Sequence, residues 1–347
     1  MDIATAATTA NAGTSSCALC GGTGKLRYGV LTDRLFGASG SWRISQCTNP
    51  SCKLLWLDPT PEAGETAKAY NNYYTHANSH SAEPASVPKR LYRSLKEHYL
   101  ATRFGYTQLS TSASLGYLSR LLHLFPRRRS EIDEEVRHLH AVSGGRLLDV
   151  GCGSGKWLVE MQQLGWETRG IDFDSDAVEV AKAAGLRIDQ GSLETQHYPQ
   201  DHFDAITLNH VIEHLPDPLR TLSECHRILK PGGVLMLYTP NSESMGHRVF
   251  KQSWRGLEPP RHLYLFSQRA MQAALATAGF CNPDIKTTNS LYMWQQSIWL
   301  ENGNCGPNHT LSSSQKMRAL LFTAIEQAAL PLRPLIGECL VVQAEKT

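Results

Sequence analysis

The stretch Leu147-Leu148-Asp149-Val150-Gly151-Cys152-Gly153-Ser154-Gly155-Lys156 constrains the fold more than any other ten residues of the chain. A short apolar run, the right length for a buried strand, meets an acid. Three glycines then follow at alternate positions, and a helical pattern starts at once. Glycine here lets the backbone turn tightly and approach a ligand with no side chain between them. Counting argues against two phosphate-binding turns. A P-loop needs a glycine five residues before its Gly-Lys pair, but position 150 is Val, and Trp157 stands where Ser or Thr would hold Mg2+. Gly24-Lys25 fails in the same way, because position 19 is Leu. A dinucleotide fingerprint needs a third glycine where Lys156 stands.

The region 141–285 repeats this alternation of strand and helix. Strands are expected at 146–151, 168–174, weakly at 186–189, then at 203–211 and 233–241. Helices are expected at 156–165, at 175–184 with Gly185 as the stop, and from Pro218, capped by Asp217, to Leu229. A further helix should run from a Ser267 cap to Ala278, and Lys230-Pro231-Gly232-Gly233 reads as the stop before the fifth strand. Strands joined by helices need right-handed crossovers, so the fold class is α/β with a parallel sheet covered on both faces.

The decapeptide resembles motif I of class I S-adenosylmethionine-dependent methyltransferases. Other motifs agree in that family's order: "GIDFD" (170–174), "QGSLE" (190–194), "FDAITLNHVIEHLPDP" (203–218) and "RILKPGG" (227–233). The resemblance implies a Rossmann-like sheet of seven strands, mostly parallel, with an antiparallel last strand from "GECLVVQAEK" (337–346). It implies S-adenosylmethionine as cofactor, held by Asp149, Gly151, Cys152, Gly153 and Gly155 at the glycine loop. Asp172 would hold the ribose hydroxyls with Phe173 beside it, since a carboxylate accepts two hydroxyl donors well. Ser192 and Leu193 would cup the adenine, and Asn209 and His210 would line the rim. The family often has Asp where Ser192 stands.

Nine cysteines, an odd number, argue against a disulfide framework. Cys17 and Cys20 form one close pair, and Cys47 and Cys52 another after 26 intervening residues. Two thiolate pairs on two turns can close a tetrahedral Zn2+ site with no open position, so this zinc would be structural. Cys152, Cys225, Cys281, Cys305 and Cys339 lack pair spacing. With "CKLLWLDPTPEAGETAKAYNNYYTH" (52–76) behind it, the arrangement resembles the N-terminal zinc ribbon of methyltransferases from polysaccharide, sugar and natural-product pathways. The expected organisation is a disordered lead (1–16), a zinc-binding β module (17–60) and a helical connector and acceptor-side cap (61–140). A catalytic domain (141–347) follows, with an insertion at about 290–335.

Ligands of open α/β sheets sit beyond the carboxyl ends of the strands. The methyl should therefore face "NHVIEHL" (209–215) and the long loop at 239–267. Removing a proton from an acceptor suits histidine, which makes His210, His214 and His262 the base candidates, with Glu213 beside them. His210 to His214 also spell H-x-x-E-H, the inverted zinc-protease pattern. That chemistry needs a sustained helix, and Pro216 and Pro218 leave room for about one turn. "PPRHLYLFS" (259–267) resembles the segment closing the acceptor pocket in the ubiquinone-biosynthesis-like branch. That branch carries Glu-x-x-Glu-His, with metal binding proposed. His210 replaces the first Glu here, leaving Glu213 and His214 either to assist a divalent ion or to shape the pocket. Arg261 and His262 divide between loop packing and substrate contact.

A net charge of +2 with 19 % charged residues gives no footprint for nucleic acid. No run approaches ~18 apolar residues. Met1–Ser16 has neither the basic region nor the apolar segment of a signal peptide, so a cytoplasmic location is expected. The segments 114–139 and 314–335 read first as packed, lid or interface helices, and their composition allows peripheral membrane contact. The expected acceptor is a small molecule, a sugar or a glycan- or lipid-linked group, methylated at oxygen or carbon. Two other readings stand beside this one. A nicotinamide-dependent oxidoreductase is disfavoured by the glycine spacing. A zinc-ribbon binding protein with an inactive methyltransferase domain is the other.

Overall fold

The computed structural model describes residues 16–61, 87–109, 125–306 and 310–347. The expected disordered lead, the 62–76 part of the Tyr-rich segment and the first half of 114–139 lie outside the described residues.

Seven strands form the central sheet: β4 (Arg146–Val150), β5 (Glu167–Asp172), β6 (Ile188–Gln190), β7 (Phe203–Asn209), β8 (Leu229–Pro240), β10 (Cys281–Thr288) and β11 (Cys339–Glu345). Their order is β10-β11-β8-β7-β4-β5-β6. The strands from β8 to β6 pair in parallel, while β11 runs antiparallel to both of its neighbours. This is the Rossmann-like sheet with a reversed last strand that the motifs implied. Leu147, Leu148, Ile206 and Leu208 are completely buried, as strands covered on both faces require.

The helices of the 141–285 region occupy the expected places, except for one short helix inside the long loop expected at 239–267. In chain order the described helices before β10 are α1 (Val87–Phe104), α2 (Pro126–Glu135), α3 (Lys156–Gln163), α4 (Ser175–Ala183), α5 (Pro218–Ile228), α6 (Met245–Phe250) and α7 (Gln268–Thr277). Asp217 caps α5 through the Arg220 amide, and Ser267 caps α7 through the Ala270 amide.

Two local expectations need correction. Lys230-Pro231-Gly232-Gly233 does not precede the fifth strand but lies inside it, because Leu229 already pairs with Phe203 and the ladder then shifts register. The insertion holds two helices, α8 (Leu291–Glu301) and α9 (Ser313–Ala329), where one was expected. Buried residues surround most of α8, so its sequence carries no amphipathic stripe to betray it.

A second sheet holds the cysteine module, with antiparallel strands β1 (Gly24–Leu31), β2 (Trp42–Cys47) and β3 (Leu55–Leu57). Its fourth strand, β9 (Tyr264–Leu265), comes from the long acceptor-side loop and pairs antiparallel with β3. One hydrophobic cluster runs from Cys17, Ile44 and Leu57 through Phe266 to Leu208 and Leu237 of the central sheet. The module therefore shares its core with the large domain.

Candidate active site

The glycine loop leaves β4 at the carboxyl end of the sheet. The Gly151 and Cys152 amides donate to the Ile171 carbonyl at 2.8 and 3.1 Å, pinning the loop to the end of β5. Gly151 has φ +72°, and a Cβ there would come within 2.4 Å of Val211 Cγ2. Gly153 has φ +53°, and a Cβ there would enter open space. An L side chain is strained in that conformation. Glycine at 153 thus keeps a strip of backbone bare on its open side, a cradle suited to the cofactor's close approach. Gly155 is the left-handed cap that starts α3.

The Asp172 carboxylate closes the cradle. Its two oxygens accept from the Gly153 amide at 2.7 Å and the Asp174 amide at 3.0 Å. Burial raises its pKa above the ordinary carboxylate value, and the two amides pull in the other direction. A carboxylate has about four acceptor sites, so capacity remains for hydroxyl donors. Phe173 is 59 % exposed beside it. Ser192 is exposed at the start of a 3-10 turn, and Leu193 is buried below it. Asn209 and His210 are exposed at the end of β7. These residues converge on one end of the sheet, where open α/β folds bind ligands.

Two glycine-loop residues face inward instead. Asp149 is buried, ion-pairs with Arg137 and accepts from Thr207 Oγ1 at 2.6 Å. The Cys152 thiol sits so close to Gly170 that a Cβ there would come within 2.6 Å of its sulfur. Arg137 was missed in the sequence. It crosses from the end of the connector, bonds Asp149 and Thr207, and lies 3.6 Å over the Trp157 ring. Its only sequence signal is a lone cation in an otherwise unremarkable helical tail.

After β7 the chain makes the single turn that the prolines allow, a 3-10 helix at Ile212–His214. His210 has φ +56° and donates from Nδ1 to Glu213 Oε1 at 3.1 Å. Glu213 is completely buried, and its other oxygen accepts from Thr239 Oγ1 at 3.0 Å. Burial opposes ionisation of Glu213, but the neighbouring histidines outweigh it and hold the carboxyl near pKa 2. His214 donates from Nδ1 to the Arg261 carbonyl at 2.9 Å, and its ring packs edge-on against His262 at 4.7 Å. His262 is buried and donates from Nδ1 to the Gly256 carbonyl at 2.7 Å. Burial lowers its pKa to about 4, so the ring is neutral. The ligand atoms of Glu213, His214 and His262 lie within 4.8 Å of one another. All four base-region residues of the sequence reading are thus brought together.

From there a buried ionic chain runs into the cysteine module. Glu258, 3.5 Å from the neutral His262 ring, binds Arg255 and Arg261. Arg261 continues to Asp33. Of the two roles weighed for Arg261, complete burial supports loop packing. The link to Asp33 was not legible, because 228 positions separate the partners.

The cysteine module has the geometry of a metal centre. Cys17 and Cys52 Sγ lie 3.7 Å apart, Cys20 and Cys47 Sγ 3.4 Å apart, and all four sulfurs lie within 4.8 Å of one another. A tetrahedron with 2.3 Å Zn–S bonds has edges of about 3.8 Å, close to these two Sγ–Sγ separations, so the donor set and its spacing fit zinc.

Residues 118–282 match the family model described as Methyltransferase domain. A ubiquinone biosynthesis O-methyltransferase of Saccharophagus degradans is 34 % identical over 133 residues, covering 36 % of this chain and 55 % of that protein. A protein of the same name from Xanthomonas oryzae pv. oryzae is 37 % identical over 110 residues, 29 % of this chain and 45 % of that protein. The chain spans about half the length of the curated relatives it matches. Among solved structures, a Thermotoga maritima SAM-dependent methyltransferase, possible histamine N-methyltransferase, overlaps 74 % of this chain and 97 % of its own, with TM-score 0.43 and 20 % identity. On its sheet order, its ordered motifs and its match to the family model over 118–282, this chain carries a methyltransferase domain on a Rossmann-like sheet.

Proposed function

We propose that the protein transfers a methyl group from S-adenosylmethionine to an oxygen or carbon of a small-molecule, sugar or glycan- or lipid-linked acceptor. The observation that carries this reading is the meeting of three features at one sheet end: the bare backbone at Gly153, the Asp172 carboxylate and the histidine rim after β7. When bound, the cofactor supplies an electrophilic sulfonium methyl. The chain's own residues do the rest. Backbone at Gly151–Gly153 and the Asp172 carboxylate hold and orient the cofactor, with Phe173, Ser192 and Leu193 around its base. Asn209 and His210 line the methyl end.

His214 is the proposed base. Donation from Nδ1 to the Arg261 carbonyl fixes the tautomer and places the lone pair on Nε2. The neutral His262 ring packs against it, and Glu213 is the acid already ionised nearby. Cys17, Cys20, Cys47 and Cys52 hold a structural zinc in the same proposal. With four cysteines on zinc and the other five in no disulfide, a reducing, cytoplasmic setting is part of the same proposal.

The test is His214→Ala, assayed by labelled methyl transfer to phenolic and sugar hydroxyl acceptors beside calorimetry with S-adenosylhomocysteine. Turnover should fall by roughly a hundredfold or more, as loss of a general base implies, with cofactor affinity retained. Equal losses in both would assign His214 to pocket shape instead. One observation favours a second reading, a divalent ion on Glu213, His214 and His262, because their ligand atoms already cluster. Metal analysis of His262→Ala distinguishes the two, since only the second reading predicts loss of a metal that the cysteines do not hold.

A further inference from the structure

The insertion between β10 and β11 presents a surface that methyl transfer does not use. α9 turns Ala319, Thr323 and Glu326 inward. Glu326 accepts from Trp294 Nε1 at 2.8 Å, and Phe322 stacks on Trp294 at 4.7 Å. The opposite face is apolar and open. Met317 is 66 % exposed, Leu320 45 %, Leu321 59 % and Ile325 46 %, and Leu332, just beyond the helix, is 87 % exposed. Ala324 and Ala328 are exposed between them. At about 100° per residue these helical positions form one continuous stripe. A surface helix ordinarily turns its polar side to water, and α9 does the reverse.

The exposed charges within 311–335 have one sign. Lys316 and Arg318 flank it on either side, and Arg333 adjoins Leu332. Glu326 is the only acid in 311–335, and it is buried. Glu301 of α8 pairs with Arg318 at 2.6 Å. We propose that α9 is a docking surface for an anionic bilayer, lying in the interface with its stripe in the acyl boundary. The Lys316 and Arg333 stems would snorkel toward lipid phosphates. No described helix is long and apolar enough to cross a membrane, which fits a helix that lies on the surface. A second copy of the chain suits the stripe less well. Face-to-face packing would bring Lys316 and Arg333 of both copies together. The docked face is tied to the acceptor side, because Ser297 of α8 accepts from the Arg255 amide at 3.0 Å.

Flotation of the full chain with phosphatidylcholine vesicles, with and without phosphatidylglycerol, tests this. The protein should float with the anionic vesicles only, and less as salt rises. Leu321→Glu with Ile325→Glu should weaken binding roughly tenfold or more, and Lys316→Glu with Arg333→Glu should weaken it too. Both pairs alter exposed positions, so unfolding midpoints should hold; the second pair decides if the first does not fold. The proposal is overturned by wild type that ignores anionic vesicles at low salt, or by variants that float like wild type. Sedimentation showing a dimer that the Leu321→Glu pair breaks would also overturn it, giving the stripe to a second copy.

Discussion

Arg261 lies wholly buried with Nη1 and Nη2 on the two oxygens of Asp33, at 2.8 and 2.9 Å, so one bidentate pair joins the acceptor-side loop to the cysteine module. The carbonyl of the same Arg261 orients His214. The module thus reaches the proposed base through a single residue. Removing one partner of a buried pair leaves the other uncompensated. Asp33→Ala should therefore cost roughly 3–5 kcal/mol in denaturant unfolding. It should also expose the module to limited proteolysis. A variant as stable as wild type would show that the pair contributes nothing.

The metal centre makes a separate prediction. The purified chain should carry zinc by elemental analysis, and Cys47→Ser should lose it and lower the melting temperature. Four thiolates this close repel one another when ionised, and a cation is what offsets them. A metal-free wild type with an unchanged melting temperature would contradict the assignment.

Gly153→Ala isolates the cofactor cradle. The positive φ costs the variant about 1–2 kcal/mol of stability, but no atom of the protein meets the new methyl group. Affinity for S-adenosylhomocysteine should fall by more than that strain explains, because the new methyl group enters the open space proposed for the cofactor. Equal affinities would move the cofactor elsewhere.

Two buried carboxyls give a pH dependence. Burial raises Glu326 to about 8, with Glu338 adding to the effect, and burial raises Glu338 to about 7. Both folded-state values exceed the unfolded value near 4.3. The folded chain therefore binds more protons, and this contribution to stability is full below pH ~4.3 and lost as pH rises to about 8. Glu326→Gln keeps an acceptor for Trp294 Nε1 and removes the titration. Its melting temperature relative to wild type should climb between pH 5 and 8, measured by scanning calorimetry. A constant difference across that range would refute the assignment.

Much of this fold was legible, because a parallel strand covered on both faces must be a continuous apolar run and its glycines must lie where the backbone turns. β4, β5 and β7 and their helices follow from that alone. The clustering of the four cysteines was legible from spacing, and the His210–His214 turn from its prolines. What escaped depends on tertiary pairing. β9 is two residues long and becomes a strand only because β3 lies beside it. Asp33 holds its own turn through the Leu35, Phe36 and Ala38 amides, but neither it nor Arg137 signals in sequence the distant partner that the fold brings close. The role of Asp149 shifted for the same reason, since the Arg137 that binds it comes from the connector.

The most direct measurement is isothermal calorimetry of the 347-residue chain with S-adenosylhomocysteine and, separately, with NAD. Saturable binding of S-adenosylhomocysteine, lost in Asp172→Ala, with no heat from NAD, is the predicted result. No binding of S-adenosylhomocysteine, or saturable binding of NAD in its place, would contradict the assignment.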